Sequence, residues 1–203
     1  MEELIDGFRR FRRTRWPEER ALYAGLAENG QRPLYLVIAC CDSRVDPATI
    51  FNARPGELFV IRNVANIVPP YELNEGCHGT SAAISFAVLS LQVKSIVVLG
   101  HAQCGGISAA LSSRDSTAIP FLDRWVDLIR PILDRPAPEE TDRHTFLERA
   151  AIILSLNRLM TFPFVAARVN SGALSLHGAR FGIADGCLEV MEPSTNEFRA
   201  VEW

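Results

Sequence analysis

Two short runs, LYLVIA (Leu34–Ala39) and SIVVL (Ser95–Leu99), are apolar at nearly every position and too short to be buried helices. A strand with water on one face alternates in character, whereas a run apolar on both faces needs cover above and below. That is the situation of a parallel sheet flanked by helices. A third run, ELFVI (Glu57–Ile61), follows the Pro55-Gly56 turn and reads as another strand. Helical patterns separate the runs. Thr80–Leu91 is rich in small residues that allow close packing on a sheet, with Thr80 or Ser81 as its N-cap. Pro120–Asp134 and Asp142–Met160 read as further helices, the second carrying Phe146, Ala150, Ile153 and Leu154. Ala173–Ile183 alternates, and Asp185-Gly186 is a hairpin signal leading into Cys187–Met191. The expected fold is α/β, a mainly parallel β-sheet flanked by helices with an N-terminal helical arm and a late antiparallel edge hairpin.

A chain of 203 residues, 48% of them apolar, is long enough for one sizeable core, and residues 1–203 are expected to form a single domain. Residues 1–30 are expected to be the arm, in which Ile5, Phe8 and Phe11 recur at helical spacing, and by its position it is a candidate to pack on another subunit. The basic run RRFRRTR (Arg9–Arg15) then reads as the solvated face of that helix. A net charge of -3 gives no reason to expect a nucleic-acid partner. No apolar stretch approaches the roughly 20 residues that span a bilayer, so no membrane partner is expected. The first residues are too charged for a secretory signal, which makes cytoplasmic the expected location. Five cysteines at uneven spacing suit a reducing compartment, as buried hydrophobes, nucleophiles or metal ligands.

Ligands of open α/β sheets bind beyond the carboxyl ends of the strands, and both reactive clusters of this sequence lie there. One strand delivers Cys40, Cys41, Asp42, Ser43 and Arg44; another delivers His101 and Cys104. If the two strands are neighbours, Cys40, His101 and Cys104 converge on one point. Two thiolates and an imidazole are a zinc set with a fourth position open. Gly105 and Gly106 leave backbone N–H groups at a helix start, which favours Cys104 as thiolate. Asp42 lies two residues beyond Cys40, on the same side of an extended chain, and Arg44 two further on can hold its carboxylate by paired hydrogen bonds. Read without the cysteine, Asp42-Ser43-Arg44 would be a turn with a surface ion pair.

These residues carry a resemblance. ACCDSRVDP (39–47) resembles the C-x-D-x-R motif of the β-class carbonic anhydrases, and GHAQCGGI (100–107) their second motif, H-x-x-C-G-G. PGELFVIRNVANIVPP (55–70) and SLHGARFGIADG (175–186) are similar to the central segment and late strand of that family. The resemblance implies Zn²⁺ held by Cys40, His101 and Cys104, an Asp42–Arg44 dyad, and reversible hydration of CO₂ to bicarbonate and a proton by attack of zinc-bound hydroxide. It also implies a homodimer or homotetramer with the substrate pocket at the subunit interface. Two thiolates put more negative charge on the ion than a set of three histidines, so activity is expected to rise towards alkaline pH.

By the same resemblance Gln31 binds a substrate or product oxygen, Phe59, Val64 and Phe86 line an apolar CO₂ pocket, and the Gly105 N–H contacts an oxygen. Cys41 stands where relatives usually carry a small residue and is expected to pack away from the metal. Val37 replaces a tryptophan found in members with a separate inhibitory bicarbonate site, so neither that site nor Asp42 on the zinc at neutral pH is expected. His78 reads as a solvated loop histidine with proton relay as the alternative, and His144 and His177 read as structural. Hydrolysis of COS or CS₂ on the same site, and a non-catalytic zinc or redox-sensing module, remain the other function classes.

Overall fold

Each apolar run becomes a strand; LYLVIA and SIVVL supply the largely buried interior pair, while ELFVI supplies a partly exposed edge strand. In the computed structural model, which describes residues 1–74, 76, 78–112 and 119–202, the strands are β1 (Tyr35–Cys40), β2 (Leu58–Asn63), β3 (Ser95–His101), β4 (Ser175–Phe181), β5 (Leu188–Met191) and β6 (Phe198–Ala200). They form one sheet in the order β2-β1-β3-β4-β5-β6. The first four are parallel, and β5 and β6 add on antiparallel. β1 is buried at every position after Tyr35, as a run apolar on both faces requires.

Helices α1 (Glu2–Thr14) and α2 (Trp16–Asn29) precede β1, and the single turn α3 (Pro47–Ile50) follows it. α4 (Gly79–Ser85), continued by a wider turn over Phe86–Ser90, leads to β3, and α5 (Gly105–Ser112) leaves it. α6 (Leu122–Val126), α7 (Arg130–Leu133), α8 (Arg143–Leu159) and α9 (Pro163–Asn170) come before β4. The single helix expected over Pro120–Asp134 is broken into α6, a 3₁₀ turn at Asp127–Ile129 and α7, because Pro131 has no N–H to continue the ladder. The expected late antiparallel hairpin is present: β4 pairs parallel with β3 on one side and turns back antiparallel into β5 on the other. The edges of the sheet are β2 and β6, the latter three residues with too short a pattern to read.

α8 carries the core. Asp142 caps it, accepting from the N–H groups of His144 and Thr145, and Ile152, Leu156 and Leu159 pack with Leu36, Ile38, Ile96 and Val98 of the sheet. The approach is close because β3 and β4 present glycines. A Cβ on Gly100 or Gly178 would lie 2.7 or 2.8 Å from the Ile152 side chain. Glu148, one turn before Ile152, is thereby set level with the carboxyl ends of β3 and β4. The opposite face packs Val37, Ala39, Leu99 and Ala179 against Ile50, Phe51 and Leu188.

The two N-terminal helices bury no residue; Phe11 packs edge to face on Trp16 and on Tyr23, while Leu4 and Phe8 stay exposed. Among the described residues no single helix is long and apolar enough to cross a membrane.

Candidate metal centre

Register brings the first cluster to the second. β1 and β3 are neighbours with Ala39 paired to Leu99, and the ladder between β1 and β2 ends on Cys40 and Asn63, so Cys40 and His101 leave adjacent strand ends. The chain then turns through Ala102 and Gln103, whose left-handed backbone (φ 55) folds Cys104 back towards Cys40. The ligating atoms of Cys40, His101 and Cys104, all buried, lie within 4.8 Å of one another, and no other such group occurs among the described residues.

The donor set fits a tetrahedral ion. Sγ of Cys40 and Sγ of Cys104 are 3.9 Å apart, too far for a disulfide and close to the ~3.8 Å edge of a tetrahedron with Zn–S bonds of about 2.3 Å. Nδ1–H of His101 donates to the Ala102 carbonyl at 2.8 Å, because a carbonyl can only accept. That fixes the tautomer and leaves Nε2 as a bare lone pair, and Nε2 is a buried polar atom without a hydrogen-bond partner. A zinc ion is what this orphan and the two sulfurs would share. Without one, the Cys104 thiol's hydrogen bond holds Cys40 well below the usual thiol range, and the same contact together with burial pushes Cys104 up. The pair behaves as one thiolate and one thiol, a high density of negative charge for a buried place.

Beside the sulfurs, Asp42 and Arg44 form the expected pair. Arg44 Nε donates to Oδ1 at 2.9 Å, its terminal nitrogen to Oδ2 at 2.7 Å, and its backbone N–H to Oδ1 at 3.0 Å. This bonding holds the Asp42 carboxyl far below the usual carboxylate range. The same terminal nitrogen reaches the Gln103 carbonyl at 3.2 Å and ties the two motifs together. Oδ2 of Asp42 is 4.0 Å from Nε2 of His101.

Sequence reading missed two supports. Arg62, at the end of β2, donates to the carbonyls of Cys40, Asp42 and Val45 and so clamps the loop that bears the first ligand. Glu148 accepts from the Cys104 N–H. A buried glutamate within the apolar pattern LERAAII (147–153) is the only signal that marked it, and that pattern does not name its partners.

Val64 and Gly105 join the centre. A Cβ on Gly106 would lie 2.7 Å from Val64, so the start of α5 sits directly against the Val64 wall, itself held by the Trp125 indole N–H on the Val64 carbonyl. Gln31, Phe59 and Phe86 are elsewhere. Phe59 pairs with Leu36, four residues down the ladder from Cys40–Asn63 and so ~13 Å from it, and stacks with Phe86, half exposed, at 5.8 Å. Gln31 is exposed ahead of β1, at that same end. Cys41 departs from its expected packing role: it is exposed and lines an open cleft with Asn63, Val64 and His78, because the strand pairing ends at Cys40. His78 is bonded to Asn74, His177 to Ser175, and His144 to Glu148. Cys187 is a partly buried free thiol, and Cys77 lies outside the described residues.

Comparison with known proteins converges on one family. The family model described as carbonic anhydrase matches residues 35–188. Beta carbonic anhydrase 3 of Arabidopsis thaliana is 34% identical over 200 residues, spanning 95% of this chain and 77% of that protein. The solved structure of the β-carbonic anhydrase CcaA superposes with a TM-score of 0.88 at 33% identity, covering 99% of both chains. A structure reported with two tetrameric β-carbonic anhydrases from Sordaria macrospora gives a TM-score of 0.78 at 31% identity, over 93% of this chain and 95% of that one.

Proposed function

Since the chain belongs to the β-class carbonic anhydrases, an enzyme family, we propose that it catalyses the reversible hydration of CO₂ to bicarbonate and a proton at the Cys40–His101–Cys104 centre. The observation that carries this is the Asp42–Arg44 pair beside three convergent ligands. A zinc ion that only fixed the fold would have no use for an oriented carboxylate next to an open position. When bound, zinc supplies the Lewis acidity that makes water a nucleophile near neutral pH.

The chain's own groups do the rest. Asp42, kept ionised by Arg44, offers an oxygen to the nucleophile's O–H and so aims its lone pair at the carbon. With both carboxylate oxygens already held by Arg44, Asp42 stays off the metal, which supports a fourth position open to solvent and substrate. Val64 gives CO₂ an apolar wall, and the Gly105 N–H at the start of α5 serves a substrate oxygen. Gln31, Phe59 and Phe86 act at the metal centre of a second copy, in a homodimer or homotetramer to which the exposed arm contributes. Val37, small and buried, leaves no aromatic shelf for a separate bicarbonate site. Residues 1–203 form one functional unit. A reducing compartment such as the cytoplasm suits two thiols that must stay unjoined 3.9 Å apart.

Stopped-flow CO₂ hydration on wild type and Asp42→Ala, with zinc quantified in both, tests the proposal. Zinc-replete wild type should hydrate CO₂, and the variant should keep its zinc while losing ~100-fold in rate. Zinc-replete wild type without hydration would sink the reading.

A further inference from the structure

Glu148 is one of only four buried polar side chains among the described residues, and its two oxygens have separate duties. Oε2 accepts from Arg180, whose Nε is 2.8 Å away and whose terminal nitrogen is 2.7 Å away. Oε1 accepts from the Cys104 N–H at 3.2 Å and from Nδ1–H of His144 at 2.7 Å. Arg180 leaves β4 beside Gly100 and is held by Thr145 and Glu189, while Arg149 braces Glu189 from behind. Every lone pair of a carboxylate that is almost wholly out of water is therefore engaged, as its burial demands.

The backbone N–H of Cys104 stands just before α5, where no carbonyl of its own helix can accept it. Glu148 supplies the missing acceptor from across the fold. We propose that Glu148, loaded by Arg180 and steadied by His144, is the positioning residue that holds Cys104 in ligating geometry and thereby sets how tightly the centre keeps its metal. It touches neither substrate nor metal and acts through the Cys104 backbone. The inference rests on the reading of Cys40, His101 and Cys104 as the zinc ligands.

Glu148→Gln isolates the effect because it preserves volume. Its one carbonyl oxygen is claimed by the charged guanidinium of Arg180, which turns the amide NH₂ towards the Cys104 N–H, donor facing donor. Transfer of zinc from the full-length protein to a chromophoric chelator should be about 10-fold faster in the variant, within the 10- to 100-fold range typical for groups that orient a metal ligand. After cobalt substitution, its thiolate-to-metal charge-transfer band should also shift. Leu174→Ala, which opens a core cavity at the opposite end of β4, serves as the control for general loosening and should match wild type in both readouts. His144→Ala, which removes one support of Oε1 at a partly exposed position, should speed zinc transfer about threefold and decides the matter if Glu148→Gln fails to fold. Zinc transfer within twofold of wild type and an unmoved cobalt band in the deciding variant would overturn the inference, as would the same changes in Leu174→Ala. Wild type that takes up no zinc would overturn the ligand assignment along with it.

Discussion

Two carboxylate–guanidinium pairs flank the metal centre, and they are built in opposite ways. Asp42 meets Arg44 two residues later on the same loop, and both side chains keep some contact with solvent. Glu148, only 2% exposed, meets Arg180 across 32 residues of chain, on a different layer of the fold. In the proposed reaction the first pair would face the open position, where charge must remain available to substrate and to exchanging water. The second lies behind the ligand cluster on the Cys104 side, where its use would be to be fixed. An ion pair near water is assembled locally and is individually weak. One in the interior is tolerated only when each lone pair and proton has a partner, and those partners come from α8, β4, β5 and the Cys104 turn together.

The largest test of this contrast removes a ligand and not a support. Cys40→Ser should leave less than about a tenth of wild-type zinc at equilibrium, since thiolate ligation contributes directly to the bound state. Next comes Arg44→Lys. A single ammonium cannot reproduce the paired bonds to Oδ1 and Oδ2, so the hydration rate should fall about 10-fold while zinc content is unchanged. Loss of zinc in that variant would erase the distinction between the substrate-facing pair and the metal-facing one.

A smaller effect appears in stability against pH. The Asp42 carboxyl lies below its ordinary value in the folded protein, so its contribution is complete above about pH 4, the unfolded value, and fades as pH falls through the lower folded value. The difference in urea midpoint between wild type and Asp42→Asn should hold constant from about pH 5 to 8 and narrow below about pH 4. A difference that grew on acidification would reverse the assigned sign. The least effect belongs to Cys41→Ser, in which zinc content should stay at the wild-type level, because that thiol opens on the cleft and away from the ligand group.

The amino-acid sequence alone marked the two ligand-bearing clusters, the Asp42–Arg44 pair and the parallel strands, because each cluster is written within a few neighbouring positions; that β1 and β3 are neighbours is what joins Cys40 to His101 and Cys104. LYLVIA and SIVVL are apolar on both faces and form largely buried strands, so whatever follows them is presented at a strand end. It did not show that β4 is interior or that Pro120–Asp134 is broken, since neighbours in a sheet and interruptions in a helix depend on what packs beside them. It named Gln31, Phe59 and Phe86 for a pocket shared between subunits, and the register sets them at the far end of the sheet from this chain's own ligand cluster, so a single chain does not bring the two together. Only the tertiary structure decided which buried groups support Cys104. Glu148 is 44 positions from Cys104 and Arg180 a further 32, and nothing local distinguishes their approach from that of any other acid and base along the chain. The close seating of α8 on Gly100 and Gly178 brings them together, and burial then makes their mutual satisfaction compulsory.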